Sequence, residues 1–426
     1  MSLPAEQSQP SPLSVLGQRN FRLYWGGQLV SLTGGWMQQT AMAWVTMTIV
    51  HSAMALGVMN VVAAIPPAVL MLHGGVAADK LDKRRILMVT QTLFMVVSFV
   101  LAYLVWAHRL SYWHIIIASL ISGVGMAFDL PANQALVPEL VDREQIPAAV
   151  QLNQAIFHGS RMIGPGFAGA MIRFLGEYSA FVANGISFLP VIGTLAVIRS
   201  IRPSESHVSG SATEAMREGF AYVRVRPQLL ALLGMTALTT TLVFPNFAIL
   251  MPFYVKNVLK MDAAAVGLVM SVGGGAAFLS AMSLLVVPEQ KRVTRIGHGF
   301  VGICTAMIIL WAGPALGQTG VRPGSLNLAM TCLGVAVMSA SVTSALGLGA
   351  TILQQTVPDE LRGRVMSLQS LTFIGIMPFG ALMTTALVDA MTMPNELLLA
   401  AGVYGLGAAY LLGRLKNAHA EGATEG

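Results

Sequence analysis

The sequence contains very little charge. Only 10% of its 426 residues are Asp, Glu, Lys or Arg, whereas a soluble protein carries about 25%. Cysteine is also scarce, because Cys304 and Cys332 are the only two and neither belongs to a CxxC pair or has a histidine beside it. This composition excludes an ordinary soluble domain and predicts neither a disulfide, nor a bound metal, nor another cofactor.

The common enzyme motifs are missing as well. No lysine follows a glycine, which excludes a P-loop for ATP, and no histidine precedes a glutamate, which excludes the HExxH zinc motif. A GxSxG nucleophile elbow is absent too. The basic residues are scattered over short loops, so we expect no nucleic-acid binding. These absences argue against an enzyme, and they leave ion or substrate gradients as the energy source.

Long apolar runs dominate what is present. The chain is 55% hydrophobic, with a mean hydropathy of +0.68. A helix needs ~20 apolar residues to cross a bilayer, and continuous runs of this length favour helices over the ~10-residue alternation of a barrel. The sequence predicts an all-α, polytopic membrane protein with twelve transmembrane helices, at about 24–49, 55–78, 86–107, 112–136, 148–174, 179–198, 228–254, 264–287, 297–316, 326–354, 365–388 and 395–414.

Basic residues fall mainly on one side of these spans. Of the 25 Lys and Arg residues, 19 lie on the side that holds both termini, five lie on the other side, and Arg161 lies inside a span. Basic loops stay in the cytoplasm. We therefore expect a multi-pass protein with both termini cytoplasmic.

A polar stretch at 199–227 divides the spans six and six. It includes a predicted short amphipathic helix, so we interpret it as a cytoplasmic linker between an N-terminal half, 1–198, and a C-terminal half, 228–426. Val-Pro-acid motifs after the fourth and tenth spans, at 137–140 and 357–361, suggest that the halves repeat. Two parallel halves with a binding site between them are typical of transporters.

The loop between the second and third spans carries a motif, Gly74-Gly-Val-Ala-Ala-Asp-Lys-Leu-Asp-Lys-Arg-Arg85. It resembles the signature loop of the major facilitator superfamily, whose pattern is matched here by Gly75, Asp79, Lys80, Lys83, Arg84 and Arg85. The resemblance implies that Asp79 lies near Arg364 at the start of the eleventh helix, where the helix dipole favours an anion. Breaking that contact would open the halves to the cytoplasm. The alternative is that the loop only anchors the topology.

The resemblance extends over nearly the whole chain. Segments 19–25, 131–141, 161–165 and 357–365 resemble the enterobactin exporter-like branch, which contains bacterial drug, macrolide and siderophore exporters. It implies the major facilitator fold, the bacterial inner membrane, a small-molecule substrate and proton-driven efflux, with one chain sufficient. Gly164, Pro165 and Gly169 resemble the fifth-helix motif of antiporters. One departure is Gly34-Gly35-Trp36, where many relatives carry an acid in the middle position.

Two charged residues fall well inside predicted spans, where a charge costs at least ~2.5–3.5 kcal/mol. They are Asp129 in the fourth span and Arg161 in the fifth, and His158 shares a helix face with Arg161. We expect Asp129 to titrate during transport, Arg161 to tune its pKa, and His158 to join the relay or meet the substrate. Alternatively, Asp129 and Arg161 only hold helices together.

Several uncharged residues are candidates to line a substrate cavity, because the first, fourth, seventh and tenth helices line it in this superfamily. They are Gln38, Gln39, Trp36, Phe128, Asn246, Phe244 and Ser341, with Ser339 and Thr343 nearby. Each could instead make a helix–helix hydrogen bond, worth about 0.6 kcal/mol on average, or an ordinary packing contact. Trp36, Phe128 and Phe244 could form one apolar wall.

The leading hypothesis is a secondary exporter of amphipathic small molecules that works by alternating access and proton antiport. An importer or a lipid flippase of the same fold is the first alternative. A membrane sensor or scaffold that does not transport is the second, although no soluble domain accompanies the spans.

Overall fold

The structure is a computed structural model that describes residues 12–198, 212–284, 286–317 and 323–424; the first part of the predicted linker, 199–211, lies outside them. Every regular element in these ranges is helical. The helices are α1 Arg19–Ile49, α2 Ala53–Lys80, α3 Lys83–Trp106, α4 Tyr112–Leu136, α5 Ile146–Leu175, α6 Tyr178–Val197, α7 Ala212–Arg224, α8 Pro227–Leu242, α9 Phe244–Ala248, α10 Met251–Phe253, α11 Ala263–Leu284, α12 Arg292–Gly317, α13 Pro323–Thr356, α14 Asp359–Met391 and α15 Met393–Thr424.

Nine helices in the described ranges are long and apolar enough to cross a membrane. These are α2, α3, α4, α6 and α11–α15. Helices α1 and α5 have 31 and 30 residues and are not among these nine. Spans of this length satisfy their backbone hydrogen bonds internally, as the bilayer core requires.

The seventh apolar segment, predicted as a single span over 228–254, is broken. Its first part, α8, has 16 residues, and the short helices α9 and α10 follow before a π-helix at Tyr254–Val258. Pro245 and Pro252 explain the breaks, because proline has no N–H to donate to the preceding turn and its ring crowds that turn.

The two ends of the bundle differ. We call the end that carries Lys80–Arg85 the basic end, and the end at which α1 and α2 join the opposite end. The turns at the opposite end use left-handed backbone at His51, His108, Gly176, Lys260 and Thr392. Only Gly176 is a glycine, with φ 92°, so the other four accept a conformation that L side chains rarely adopt.

Helices α1–α6, the N-terminal helices, and α8–α15, the C-terminal helices, form separate cores that join at the opposite end. The core of the N-terminal helices at that end also contains Ile249, Ala263 and Ala381 from the C-terminal helices. The core at the basic end, around Phe21 and Leu140, contains N-terminal residues alone. Among the described residues, the hydrophobic cores therefore join the two sets of helices at the opposite end and not at the basic end.

Candidate functional site

Asp129 is a buried acid at the meeting point of three helices. Its Oδ1 accepts hydrogen bonds from Thr90 Oγ1 at 2.5 Å and from Gln91 Nε2 at 2.9 Å, both on α3. Gln91 Oε1 in turn accepts from Ser31 Oγ of α1 at 3.0 Å. Across the described ranges, no Lys, Arg or His pairs with this carboxyl group. The arrangement can hold the acid in place while it gains or loses a proton.

Arg161 lies between aromatic rings from both sets of helices. Its guanidinium carbon is 5.6 Å from the centroid of the Trp36 ring on α1 and 5.0 Å from that of Phe247 on α9. Within the described part of the chain, it makes no hydrogen bond or ion pair. The expectation that Arg161 acts on Asp129 is not met, because Asp129 faces α3 whereas Arg161 faces α1 and α9.

Four polar residues of α5 share one face. Gln151, Gln154 and His158 are exposed, and Arg161 follows them at helical spacing. A polar face on a membrane helix lies toward water or protein, since lipid would leave its groups unsatisfied. Arg161 is the last residue of this face and lies between the two sets of helices. The other three residues lie nearer the basic end, so the polar face borders the space between the two sets of helices there. The role of His158 stays a prediction.

Several aromatic side chains form a cluster near Arg161. The Trp36 ring packs edge-on against Phe157 at 5.7 Å, and Phe244 packs against Phe373 at 5.0 Å and Phe247 at 6.4 Å. Trp36 and Phe247 thus approach Arg161 from opposite sets of helices, and Phe244 packs beside Phe247.

Phe128 does not join that wall. It lines a separate groove of about 470 Å³ between α3 and α4, together with Leu93 and Thr90. The expectation of one wall with Trp36 and Phe244 is wrong for Phe128, because its side of α4 faces α3.

Two neighbouring glutamines on α1 have different environments. Gln38 Oε1 accepts from Ser98 Oγ at 2.6 Å and from Asn184 Nδ2 at 2.8 Å, which is a helix–helix network. Gln39 is exposed and borders a small cavity of about 20 Å³ with Trp36 and Asn60. Of the two glutamines, only Gln39 is therefore placed to contact a ligand directly.

Asn246 and Ser341 do not line an open cavity. Asn246 is fully buried, and its Nδ2 donates to Glu396 Oε1 of α15 at 3.1 Å. Ser341 faces α12, because a side-chain carbon built at Gly302 would lie 2.2 Å from Ser341 Oγ. Both side chains face their own set of helices in this state, so their predicted contact with substrate stays a prediction.

The described contacts of the loop between α2 and α3 tie it to the N-terminal half of the chain. Lys83 forms a buried ion pair with Glu139 at 2.8 Å, and Arg84 donates to the carbonyl of Ile198. Asp82 caps α3 by accepting from the Arg84 N–H at 3.0 Å. Partial burial opposes ionisation of Asp82, yet its hydrogen bonds with Arg84 hold its pKa below the ordinary value.

Asp79 and Arg364 do not meet in this structure. Arg364 pairs with Glu218 of α7, and Asp79 is exposed without a hydrogen bond or ion pair to any described residue. A side-chain carbon built at Gly75 or Gly363 would meet nothing within 4 Å. The predicted contact between this loop and the start of α14 is thus absent among the described residues, whose hydrophobic cores join the two sets of helices at the opposite end.

We expect Lys83→Met to destabilise the protein by about 3–5 kcal/mol, because it removes the positive charge that Lys83 holds beside the buried carboxylate of Glu139. The side chains of Lys83 and Glu139 are only 10% and 6% exposed. The exposed neighbour Lys80 provides the control, and Lys80→Met should change stability little. Thermal unfolding in detergent measures both, and equal effects would contradict the buried pair.

Polar contacts close the opposite end across the two sets of helices. Asp389 of α14 accepts from Ser52 Oγ at 2.6 Å and from the Ala53 and Met54 N–H groups at 2.9 and 3.0 Å, so it caps α2. Arg173 of α5 pairs with Asp262, just before α11, at 3.0 Å. These contacts hold α2 against α14 and α5 against α11.

Glycines bring α5 and α11 close together. A side-chain carbon at Gly169 would lie 2.5 Å from the carbonyl oxygen of Ala263, and one at Gly267 would lie 2.5 Å from that of Pro165. Gly164 instead packs closely against α1, because a side-chain carbon there would lie 2.6 Å from Trp36 Cβ. The motif at 164–169 thus packs α5 between α1 and α11, as small residues do in membrane helices.

We expect Gly169→Ala to force α5 and α11 apart and to cost roughly 1–3 kcal/mol, the usual range for overpacking. Gly159→Ala on the same helix is the matched control, because a side-chain carbon there would meet nothing within 4 Å. The control should be neutral or slightly stabilising. Comparing thermal unfolding midpoints tests this, and a smaller loss for Gly169 than for Gly159 would refute the packing argument.

Sequence reasoning missed several of these residues. Thr90, Gln91 and Glu139 are ordinary residues in sequence, and only the packing shows their partners. Glu396 offered a signal, since it is an acid inside the last predicted span. Asp389 also lies at the edge of a predicted span, where it looks like a loop residue.

The helical fold and this site define a class, the membrane transporters of the major facilitator type. Residues 10–424 match the transmembrane secretion effector family. The chain belongs to this family, within the efflux branch of the major facilitator superfamily.

Relatives of similar length support this assignment. The chain is 24% identical over 373 residues to the staphyloferrin A transporter of Staphylococcus aureus, with 86% of this chain and 89% of the relative covered. It is 25% identical over 389 residues to macrolide efflux protein A of Streptococcus pyogenes (89% and 92% covered). It is 24% identical over 375 residues to the multidrug efflux pump Tap of Mycolicibacterium fortuitum (85% and 87%).

Solved transporter structures share the fold. A bacterial homologue of the iron transporter ferroportin in the inward-facing state has a TM-score of 0.68 at 15% identity, with 94% of this chain and 98% of that chain covered. A nucleoside transporter has a TM-score of 0.72 at 11% identity (94% and 99% covered). At these identities the likeness shows the fold alone.

Proposed function

We propose that this protein exports amphipathic small molecules by alternating access, driven by the entry of protons. The observation that carries the proposal is the difference between the two ends. Asp389 and the Arg173–Asp262 pair tie the helices at the opposite end, whereas Asp79 and Arg364 stay apart at the basic end. A transporter open to one side has this arrangement.

The proposed topology places the basic end in the cytoplasm. Twelve spans then form two six-helix halves, 1–198 and 228–426, joined by a cytoplasmic linker at 199–227 that includes α7. The broken segment α8 to Tyr254–Val258 counts as the seventh span, and the polar helices α1 and α5 as the first and fifth. Both termini are cytoplasmic in a bacterial inner membrane, and one chain acts as a monomer.

The substrate class follows from the space near Arg161. This space has a mixed border, which is apolar at Trp36 and Phe244 and polar at Gln39 and along the polar face of α5. According to their names, the relatives carry staphyloferrin A, macrolides or multiple drugs. This supports an amphipathic substrate as the cargo.

Alternating access gives the contacts at the two ends opposite roles. When the opposite end opens, Asp389 leaves α2 and Arg173 leaves Asp262. When the basic end closes, Asp79 approaches Arg364, which exchanges Glu218 for the new partner. Asp129 takes up and releases the coupled proton inside the N-terminal half, where its neutral partners leave it free to change charge.

Transport in proteoliposomes tests the proposal. A panel of lipophilic dyes, macrolides and a siderophore is offered with and without an imposed proton gradient. Gradient-driven movement out of the cytoplasmic side supports proton-coupled export. Movement in the other direction would indicate an importer, movement of labelled lipid a flippase, and no movement together with a stable protein partner a scaffold.

A further inference from the structure

Glu396 is a buried acid that the proposed transport cycle has not used. It lies in the first turn of α15 near the opposite end and is only 2% exposed. Its Oε1 accepts one hydrogen bond, from Asn246 Nδ2 at 3.1 Å. Its Oε2 and the Asn246 Oδ1 are buried and have no hydrogen-bond partner. A buried carboxyl oxygen without a hydrogen bond costs free energy, so its presence in a native structure needs an explanation.

The acid contacts the broken part of the seventh segment. Asn246 belongs to α9, a five-residue helix between turns at Val243 and Ile249. Breaks in membrane helices occur where the backbone lines a site rather than lipid. Ser339 Oγ of α13 is another buried, unpartnered polar atom beside this helix, because it and the Phe247 ring both lie 3.1 Å from a side-chain carbon built at Gly273.

No positive group compensates this acid in the part of the chain that the structure describes. Nearby titratable groups are engaged elsewhere: Tyr404 of α15 bonds to Thr239 of α8, the Cys304 thiol of α12 faces the Ala401 carbonyl, and Asp389 of α14 caps α2. The remaining described charged or titratable residues of α12, α14 and α15 lie toward the basic end, namely Arg292, Arg295, His298, Arg362, Arg364, Tyr410 and Arg414.

We propose that Glu396 and Asn246 form a second proton-binding site, located in the C-terminal helices and separate from Asp129. In this closed state the carboxyl group holds a proton and is neutral. The carboxyl group exchanges this proton with water only when the opposite end opens and water reaches the first turn of α15. The step transfers one proton between the carboxylate and a water molecule and needs no other reactant.

The site connects directly to the contact between the two sets of helices. Asn246 precedes Phe247, and the Phe247 ring packs against the Arg161 guanidinium of α5. Ionised Glu396 would draw on the Asn246 amide more strongly, since hydrogen bonds to a charged acceptor are shorter and stronger. A shift of α9 would then alter the Phe247–Arg161 contact, so that the proton on Glu396 favours closure of the opposite end. This inference rests on the proposed alternating access, but the protonation itself does not.

Infrared spectroscopy of the purified full chain tests the protonation without any substrate. We expect a carbonyl band of a protonated carboxylic acid that shifts in heavy water and disappears in Glu396→Gln. Glu144→Gln, at an exposed position, should leave the band intact. A glutamine side chain imitates the neutral acid, so the Glu396→Gln variant should fold, and circular dichroism checks this. If the spectra of the native chain and Glu396→Gln agree across about pH 5–9, the proposal is wrong.

Spin-label distances test the connection to the conformation. Labels at Leu81 and Ser367, both exposed near the basic end, report its opening in a chain whose native cysteines are replaced by serine. In the Asp129→Asn background, the distance should still change with pH, and adding Glu396→Gln should abolish that change. A pH response that Asp129→Asn alone removes, or that survives in the double variant, would overturn the role of Glu396. If Asp129→Asn alone removes the pH response, the proposed export coupled to a proton on Asp129 still stands.

Discussion

Asp129→Asn is expected to abolish gradient-driven transport while leaving the fold intact. Asparagine keeps an oxygen for the hydrogen bonds from Thr90 and Gln91, but it cannot exchange a proton. Coupling between two ligands is typically worth 1–3 kcal/mol, or about 5–150-fold in affinity. We therefore expect the dependence of substrate affinity on pH to fall by about that factor, and accumulation against a gradient to stop.

Two assays in proteoliposomes separate coupling from binding. Substrate exchange without a proton gradient should persist in Asp129→Asn, because it needs only the cavity and the conformational change. Glu144→Gln is the matched control, since Glu144 is an exposed acid in the same set of helices. Equal gradient-driven transport by Asp129→Asn and the native chain would make Asp129 a structural residue. That result would leave the helix-locking explanation in place.

Arg161→Met is expected to loosen the contact between the two sets of helices and to reduce transport about 5–30-fold. Each cation–π contact contributes roughly 0.5–2 kcal/mol depending on burial, and Arg161 has one with Trp36 and one with Phe247. Methionine keeps much of the length of the side chain but loses the charge. Because Phe247 belongs to the C-terminal helices, the change should lower the population of the state seen here.

Arg161→Lys distinguishes charge from stacking. Lysine keeps the positive charge but lacks the planar guanidinium that stacks on rings, so we expect an intermediate rate. Phe247→Leu should repeat most of the loss, whereas Tyr410→Leu, at an aromatic position 63% exposed on α15, should not. Initial transport rates and the distance between labels at Leu81 and Ser367 measure the effect. Unchanged distances in Arg161→Met would show that the rings do not hold this state.

Much of the site could be predicted as a set of residues but not as a set of contacts. Asp129, Arg161 and His158 were identifiable because charge inside an apolar span is rare and costly. Phe128 was misplaced because a membrane helix is apolar toward both lipid and protein. Hydrophobic periodicity then gives little information on which side of the helix faces a cavity. Asn246 was identified, but its partner Glu396 lies 150 positions away in the chain.

The sequence by itself determined the membrane class, most of the helical spans and the family, since low charge, long apolar runs and the 74–85 loop are local properties. Only the tertiary structure decided that Arg161 meets Trp36 and Phe247 rather than Asp129, that Lys83 pairs with Glu139, and that the opposite end is closed while Asp79 stands apart from Arg364. The physical reason is that these contacts depend on how each helix is rotated and which helices are neighbours. Rotation is set by close packing of small residues such as Gly169 and by a few buried polar pairs, which are meaningful only once both partners are in place.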